Sequence, residues 1–177
     1  MKTRRTTRQT PNKPMLKKRG KARKTKDKPV MKKRGKVLVV EDNLQWSKRL
    51  KEALEENGFY VVAKKTKTEA LEILGKENFH FATVDLQLDE STLDDKKFEG
   101  WDVMKKVFDV GADRIMPILV LTGFPGDEEN DNRVKALREY KATYFMEKSK
   151  FDQEKFIKTV IKAVERRNVH FKDDYTS

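Results

Sequence analysis

Carboxylate, hydroxyl and ammonium side chains stand at the ends of four short apolar segments of this 177-residue chain. They are, in chain order, Glu41, Asp42, Asp85, Thr122 and Lys148. Each has a plain explanation by itself, because acids and threonines cap the helices that follow strands, and a loop lysine is usually solvated. If the segments are parallel strands of one sheet, however, ligands bind at the edge where these side chains meet.

The chemistry of this set is that of a hard metal ion and a phosphoryl group. Three carboxylates without a cysteine or histidine suit Mg²⁺, which prefers oxygen ligands and is commonly bound by carboxylate and phosphate oxygens together. Asp85 is the predicted nucleophile, because a carboxylate can accept a phosphoryl group as an acyl phosphate. Asp42 is the predicted direct ligand of Mg²⁺, with Glu41 assisting. Lys148 and the Thr122 hydroxyl would stabilise the oxygens of the transferring group.

The composition excludes several other kinds of site. Cysteine is absent, so disulfides, thiolate metal sites and a cysteine nucleophile are excluded. The two histidines, His80 and His170, are far apart in sequence, which disfavours a histidine zinc site and a Ser-His-Asp triad. The longest apolar run has seven residues, 115–121, whereas a membrane span needs roughly 18. No apolar segment follows the basic N-terminus, so a secretory signal is not predicted and a cytoplasmic location is expected.

Basic residues are concentrated at the N-terminus. Residues 1–36 contain 17 Lys or Arg and one acid, a net charge of +16, whereas the rest of the chain carries −4. The few apolar residues of this segment have no periodicity, so we predict that residues 1–35 form a basic, disordered tail. Residues 36–170 are predicted to form the globular domain, and 171–177 a short C-terminal tail.

Strands and helices are predicted to alternate five times along the globular part. The predicted strands are 37–40, 59–63, 80–86, 117–121 and 142–146, and the predicted helices are 44–57, 66–74, 100–111, 133–140 and 150–168. Ser149 with Asp152 gives a capping signature for the last helix. This alternation predicts an α/β fold in which helices cover both faces of a five-stranded parallel sheet.

At this point the sequence resembles the receiver domain of bacterial two-component response regulators. The motifs that carry the resemblance are Val-Leu-Val-Val-Glu41-Asp42-Asn, Thr-Val-Asp85-Leu, Gly100-Trp-Asp-Val-Met104, Met-Pro117-Ile-Leu-Val-Leu-Thr122-Gly123 and Tyr-Phe-Met-Glu-Lys148. They extend over about residues 36–168 and occur in the order of the family. The resemblance implies the doubly wound, flavodoxin-like receiver fold of stand-alone, CheY-like proteins.

The resemblance also implies a function. The phosphohistidine of a sensor histidine kinase or phosphotransfer protein would donate its phosphoryl group to Asp85, with Mg²⁺ as cofactor. The implied metal ligands are Glu41, Asp42, Asp85 and the backbone carbonyl of Gln87. Thr122 and Phe145 fall on the positions of the family's conformational switch. Such a protein promotes its own phosphotransfer and dephosphorylation and is not a dedicated enzyme.

Some positions depart from the family pattern. The segment from Asp85 to Gly100 is about seven residues longer than is usual, and the segment after Thr122 about four; both are acidic. Ser149 replaces a proline that commonly follows the lysine, which leaves the conformation of the Lys148 loop open. Gln87 and Phe124 occupy positions that tune the lifetime of the phosphoaspartate in the family.

Three functions remain open at this stage. The first is a stand-alone receiver that signals through phosphorylation-dependent contacts with a downstream protein. The second is a receiver-regulated protein whose basic tail, 1–35, binds nucleic acid or another polyanion; the tail has no aromatic residue for base stacking. The third, a haloacid-dehalogenase-like phosphatase, is disfavoured because Gln87 stands where those enzymes usually carry a second aspartate.

Overall fold

The computed structural model describes residues 34–88, 98–110, 116–124, 126 and 131–173. Nearly all of the predicted N-terminal tail lies outside these residues, as do most of the two acidic segments and residues 174–177. The last helix reaches Asp173. Within the described residues, no helix is long and apolar enough to cross a membrane.

The described residues form a five-stranded parallel sheet with helices on both faces, which confirms the predicted fold. The strands are β1 (Gly35–Val40), β2 (Phe59–Lys64), β3 (Phe81–Val84), β4 (Ile118–Thr122) and β5 (Tyr144–Glu147). The helices are α1 (Leu44–Glu56), α2 (Lys67–Leu74), α3 (Gly100–Val110), α4 (Asn132–Arg138) and α5 (Gln153–Asp173). The strand order is β2-β1-β3-β4-β5, and every neighbouring pair is parallel.

The central strands are mostly apolar because both of their faces are covered. Val37 and Val39 of β1 pack in a cluster with α1 and α5, whereas Leu38 and Val40 pack in a second cluster with α2, α3 and α4. All four side chains are fully buried. A strand buried on both faces therefore has no polar alternation, as its sequence indicates.

The parallel register brings the predicted site residues to one edge of the sheet. Val40, the last residue of β1, pairs with Val84, the last residue of β3, so the acids that follow them are neighbours. Thr122 at the end of β4 pairs with Glu147 at the end of β5, and Lys148 follows directly.

The turn after β5 differs from the sequence-based expectation at the start of α5. Residues Lys148–Lys150 form a single 3₁₀ turn, and α5 begins only at Gln153. The side chain of Asp152 accepts a hydrogen bond from the backbone N–H of Lys155 at 2.8 Å, so Asp152 alone is the N-cap residue. The predicted participation of Ser149 in the cap is wrong, because Ser149 lies inside the preceding turn.

Candidate functional site

Three carboxylates meet at the carboxyl edge of the sheet. Glu41, Asp42 and Asp85 each place one carboxylate oxygen within 4.8 Å of the other two. Glu41 is 1% exposed and Asp85 is 5% exposed, whereas Asp42 is only partly buried. The sequence therefore predicted this convergence correctly, from three acids that follow two separate strands.

The ammonium group of Lys148 lies between two of these acids. Its Nζ is 2.8 Å from Oε1 of Glu41 and 2.5 Å from Oδ2 of Asp85, and the side chain is 13% exposed. Lys150, two residues further on, instead pairs with Glu147 on the surface. The turn therefore places Lys148 in the site even though the residue after it is a serine.

Polar groups surround the Asp85 carboxylate. The backbone N–H of Gln87 donates to its Oδ1 at 3.3 Å, and the fully buried Thr122 hydroxyl is near enough to lower the pKa of Asp85. The Thr122 oxygen also accepts from the backbone N–H of Phe124 at 3.1 Å. Thr122 thus lies between the carboxylate and the loop after β4 and is hydrogen-bonded to that loop.

Two further residues singled out from the sequence are Phe145 and Gln87. The structure describes where they lie, and their functional roles stay predictions. Phe145 pairs with Val120 in the sheet and packs, half-buried, on the core that contains Ala136 and Ala142. It is therefore placed between the sheet and α4, and its switch role is a prediction. Gln87 lies beside Asp85, and the role of its backbone carbonyl as a metal ligand is likewise a prediction.

Burial dominates the electrostatics of the site. Desolvation, and then the charge of Asp85, raises the pKa of Glu41 to about 7. Desolvation also raises the pKa of Asp85, against the lowering effect of Lys148. For Lys148, burial lowers the pKa, but the two carboxylates outweigh it and raise the pKa above its usual value. The buried carboxylates therefore carry a desolvation cost that the Lys148 ammonium partly offsets.

The donor set fits a hard divalent cation. Carboxylate oxygens from Glu41, Asp42 and Asp85 are close enough to share one ion, and oxygen ligands of this kind are those that Mg²⁺ takes. Two of these acids are poorly hydrated, and a divalent cation would relieve their mutual repulsion. The geometry and chemistry of the described residues therefore agree with the predicted Mg²⁺ site.

Comparison with known proteins identifies the family. The sequence model of the response regulator receiver domain matches residues 37–161. The chain belongs to this family. Among curated proteins, no sequence matches the chain.

Solved receiver domains share the fold of this one. The receiver domain of a Francisella response regulator is 20% identical with a TM-score of 0.60, and the match covers 75% of this chain and 98% of that one. The receiver domain of a Pseudomonas aeruginosa sensor histidine kinase, 17% identical with a TM-score of 0.58 over 74% and 98%, holds a magnesium ion in its active site cleft. A Burkholderia pseudomallei response regulator, 26% identical with a TM-score of 0.57 over 80% and 72%, has a phosphorylated aspartic acid, a calcium ion and citrate.

A glycine packs directly against the predicted phosphoacceptor of this receiver domain. Gly100, the first residue of α3, donates its backbone N–H to the carbonyl of Leu86 at 2.9 Å. A Cβ atom at this position would overlap the carbonyl oxygen of Asp85 and lie 2.7 Å from Cα of Leu86. Only glycine, which has no Cβ, therefore allows the backbone at the start of α3 to lie this close to Asp85.

Sequence reasoning missed two contributors to the site. Gly100 was recognised as part of a motif, but its contact with Asp85 bridges an extended segment and has no local signal. The spacing of Trp46 with Leu50, Ala53 and Leu54 indicates only an apolar stripe on α1, yet the Trp46 ring lies beside the Lys148 ammonium, at 5.5 Å from ring centroid to Nζ. The one hint in the sequence is that so large a side chain begins the stripe, only four residues after Asp42.

The raised pKa of Glu41 predicts how stability depends on pH when metal is removed by EDTA. The folded-state pKa of Glu41 is above the unfolded value of 4.5. The contribution of its protonated carboxyl to the free energy of unfolding is therefore fully present below pH 4.5 and is lost as the pH rises through about 7. Glu41→Gln lacks this titration. The variant should therefore be more stable than wild type at pH 8, by on the order of 3 kcal/mol, and closer to it at pH 5.

Urea unfolding at several pH values in EDTA measures this difference. Exposed Glu56, on α1, provides the matched control, and Glu56→Gln should follow the wild-type curve. Parallel pH profiles for wild type and Glu41→Gln would show that the Glu41 carboxyl carries no such penalty.

The packing of Gly100 predicts that Gly100→Ala disturbs the backbone at Asp85. The extra methyl group should cost about 1–3 kcal/mol in unfolding free energy, as overpacking of a close contact does; if Asp85 is the phosphoacceptor that the sequence predicts, its phosphorylation should also slow. Gly75→Ala is the control, because a Cβ there meets nothing closer than 3.5 Å. Urea unfolding and intact mass after phosphorylation check both effects; a Gly100→Ala protein that equals Gly75→Ala in both would contradict the packing argument.

Proposed function

We propose that this receiver domain accepts a phosphoryl group on Asp85 from the phosphohistidine of a sensor histidine kinase or histidine phosphotransfer protein in the cytoplasm. The observation that carries the proposal is the position of the Lys148 ammonium, 2.5 Å from Oδ2 of Asp85 inside a pocket of buried carboxylates. A buried carboxylate gains from a counter-charge in any case, and phosphoryl transfer also needs a nucleophile with fixed positive charge beside it. Membership of the receiver family supports the same reading.

The side chains of the pocket divide the work of the transfer. A carboxylate oxygen of Asp85 attacks the phosphorus atom while the bond from phosphorus to the histidine nitrogen breaks, and its electron pair returns to the imidazole. The product is an acyl phosphate on Asp85. Lys148 and the Thr122 hydroxyl lie where they can stabilise the negative oxygens of the transferring group, which is most of the catalysis that this step requires.

We further propose Mg²⁺ as the cofactor, held by Glu41, Asp42, Asp85 and the backbone carbonyl of Gln87. When bound there, it supplies positive charge that neutralises the phosphoryl oxygens. Two findings support this assignment: the shared reach of the three carboxylates, and the metal ions held by the Pseudomonas and Burkholderia receiver proteins. The phosphorylated aspartic acid of the Burkholderia protein supports the assignment of Asp85.

The output of this reaction is a shift between two conformations. The Thr122 hydroxyl is near Asp85 and accepts a hydrogen bond from the loop after β4, so a phosphoryl group on Asp85 could accept a hydrogen bond from this hydroxyl and change the position of the loop. Phe145, on the neighbouring strand, is the second switch residue that we propose. A downstream protein that prefers one conformation would read the signal. The chain then promotes its own phosphorylation and dephosphorylation and does not act as a dedicated enzyme.

Asp85→Asn tests the proposed acceptor directly. Wild-type protein incubated with acetyl phosphate and Mg²⁺ should gain the mass of one phosphoryl group, measured on the intact protein, because the small donor replaces the phosphohistidine. Asp85→Asn should gain none, and EDTA should strongly reduce the gain in wild type. Asp109→Asn, an exposed acid of α3, is the matched control and should be phosphorylated like wild type.

Two results would contradict the proposal. One is a wild-type protein that shows no mass gain with either acetyl phosphate or a phosphorylated histidine donor. The other is an undiminished gain in Asp85→Asn, which would place the acceptor elsewhere. Turnover of a generic phosphatase substrate would instead revive the phosphatase hypothesis.

A second function is favoured by the charge of the N-terminus. We propose that residues 1–35 bind nucleic acid or another polyanion, because residues 1–36 carry a net charge of +16. The receiver domain would then regulate this binding. The segment enters the fold at Arg34, whose guanidinium pairs with Glu165 of α5 at 3.0 Å and whose N–H donates to the carbonyl of Gly58.

Salt dependence and deletion test this second function. Binding to a fluorescent DNA or RNA duplex should weaken steeply with salt, because each neutralised phosphate releases counterions. Removal of residues 1–33 should abolish binding but leave phosphorylation of Asp85 intact, since Arg34 and its contacts remain. Salt-insensitive binding, or binding that survives the deletion, would exclude the tail as the binding element.

A further inference from the structure

The ring of Trp46 contacts the lysine of the phosphoryl site from the side of α1. Its centroid is 5.5 Å from Nζ of Lys148, within the range of a cation–π contact. The Phe151 ring packs edge-on against it, with centroids 5.2 Å apart and an interplanar angle of 87°. Trp46 is therefore in contact with both ends of the turn that carries Lys148.

Arg49 and Phe156 fix the two rings in place. The guanidinium of Arg49 lies 5.2 Å from the Trp46 centroid and 4.7 Å from that of Phe151, so it bridges both rings. Phe151 in turn packs at 5.5 Å on Phe156, which is fully buried between α5 and the sheet. We call Trp46, Arg49 and Phe151 the aromatic clamp.

Apart from the ion pairs of Lys148 and Lys150, the backbone of the Lys148 turn has few restraints of its own. The 3₁₀ turn Lys148–Lys150 has no side-chain cap, and the N–H of Phe151 reaches the carbonyl of Lys148 only at 3.4 Å. A lysine side chain has a flexible four-carbon stem and loses much conformational entropy when it is held in one position. The clamp is the packing contact that the described residues supply to this turn from α1.

Trp46 is also tied to the carboxylates that Lys148 binds. The side chain of Asn43 accepts a hydrogen bond from the backbone N–H of Trp46 at 3.1 Å, and the N–H of Asn43 reaches Oε1 of Glu41 at 3.3 Å. Oε1 of Glu41 accepts from Lys148, and Lys148 lies against the Trp46 ring. The contacts form a closed circuit through four residues.

We propose that Trp46 is a positioning residue for phosphoryl transfer, because its ring, held by the clamp, fixes the Lys148 ammonium beside Asp85. The inference rests on the proposed function. Trp46 touches no reacting atom, so its entire effect on the reaction passes through Lys148. A small-molecule phosphodonor is sufficient to test this role, because the contact between Trp46 and Lys148 lies within the receiver domain.

A double-mutant cycle in the full-length protein tests this role. Trp46→Leu should slow phosphorylation by acetyl phosphate and Mg²⁺ by about tenfold or more, because small misplacements of a charge-stabilising group are costly. Trp46→Phe, which retains a ring, should recover most of the rate. In a Lys148→Met background, Trp46→Leu should cause no further loss. Phe108→Leu, a half-exposed ring on the opposite face of the sheet, is the control and should match wild type.

A second measurement reports the contact without any phosphorylation. In the NMR spectrum, the Cε protons of Lys148 should show an upfield ring-current shift, assigned by its loss in Lys148→Met. This shift should disappear in Trp46→Leu while the thermal unfolding midpoint shows that the protein remains folded. If wild type takes up no phosphoryl group, the proposed function fails, and the spectrum still decides whether Trp46 fixes the ammonium.

Two outcomes would overturn the inference. One is a rate loss for Trp46→Leu that persists unchanged in the Lys148→Met background, which would indicate a general structural effect. The other is a Lys148 spectrum that is the same in wild type and Trp46→Leu, which would show that the ring does not hold the side chain.

Discussion

The pairing of one ammonium with two buried carboxylates governs the structure of this domain. Glu41 and Asp85 repel each other in a poorly hydrated pocket, and Lys148 is the cation within hydrogen-bond reach of both. Removing one partner of a buried ion pair strongly destabilises the folded protein, because the remaining charge is then buried and unpaired. The three groups therefore have to arrive together, and the ends of three different strands have to be held in register.

The parallel sheet meets this requirement through its apolar strands. β1 and β3 are fully buried along the residues that precede Glu41 and Asp85, and their pairing of Val40 with Val84 fixes the two acids side by side. The apolar burial of these strands offsets the cost of the charges at their ends. The raised pKa of Glu41 shows that part of this cost remains in the folded protein, as is common where function requires a destabilised site.

The sequence was informative where the signal is local and failed where it is not. An apolar run that ends in an acid, as before Glu41 and Asp85, predicts a buried strand and its functional end. Five apolar runs in alternation with helices predict the sheet and its convergent edge. By contrast, Ser149 satisfied a capping pattern that Asp152 meets alone, because the competing 3₁₀ turn depends on packing. The contact of Gly100 with Asp85 depends on how the chain returns after an extended segment, which no periodicity records.

The position of Trp46 illustrates why such contacts are hidden in the sequence. It lies 102 residues before Lys148, and its spacing with Leu50 and Ala53 marks it only as part of the apolar face of α1. Yet Asn43 connects the start of that helix to the carboxylate of Glu41, so the acid and the ring move as parts of one segment. Any shift of α1 therefore changes both the charge that Lys148 faces and the surface against which it rests. Direct contacts thus join the acidic site to the first helix, and α1 is as much a part of that site as the strands that bear its acids.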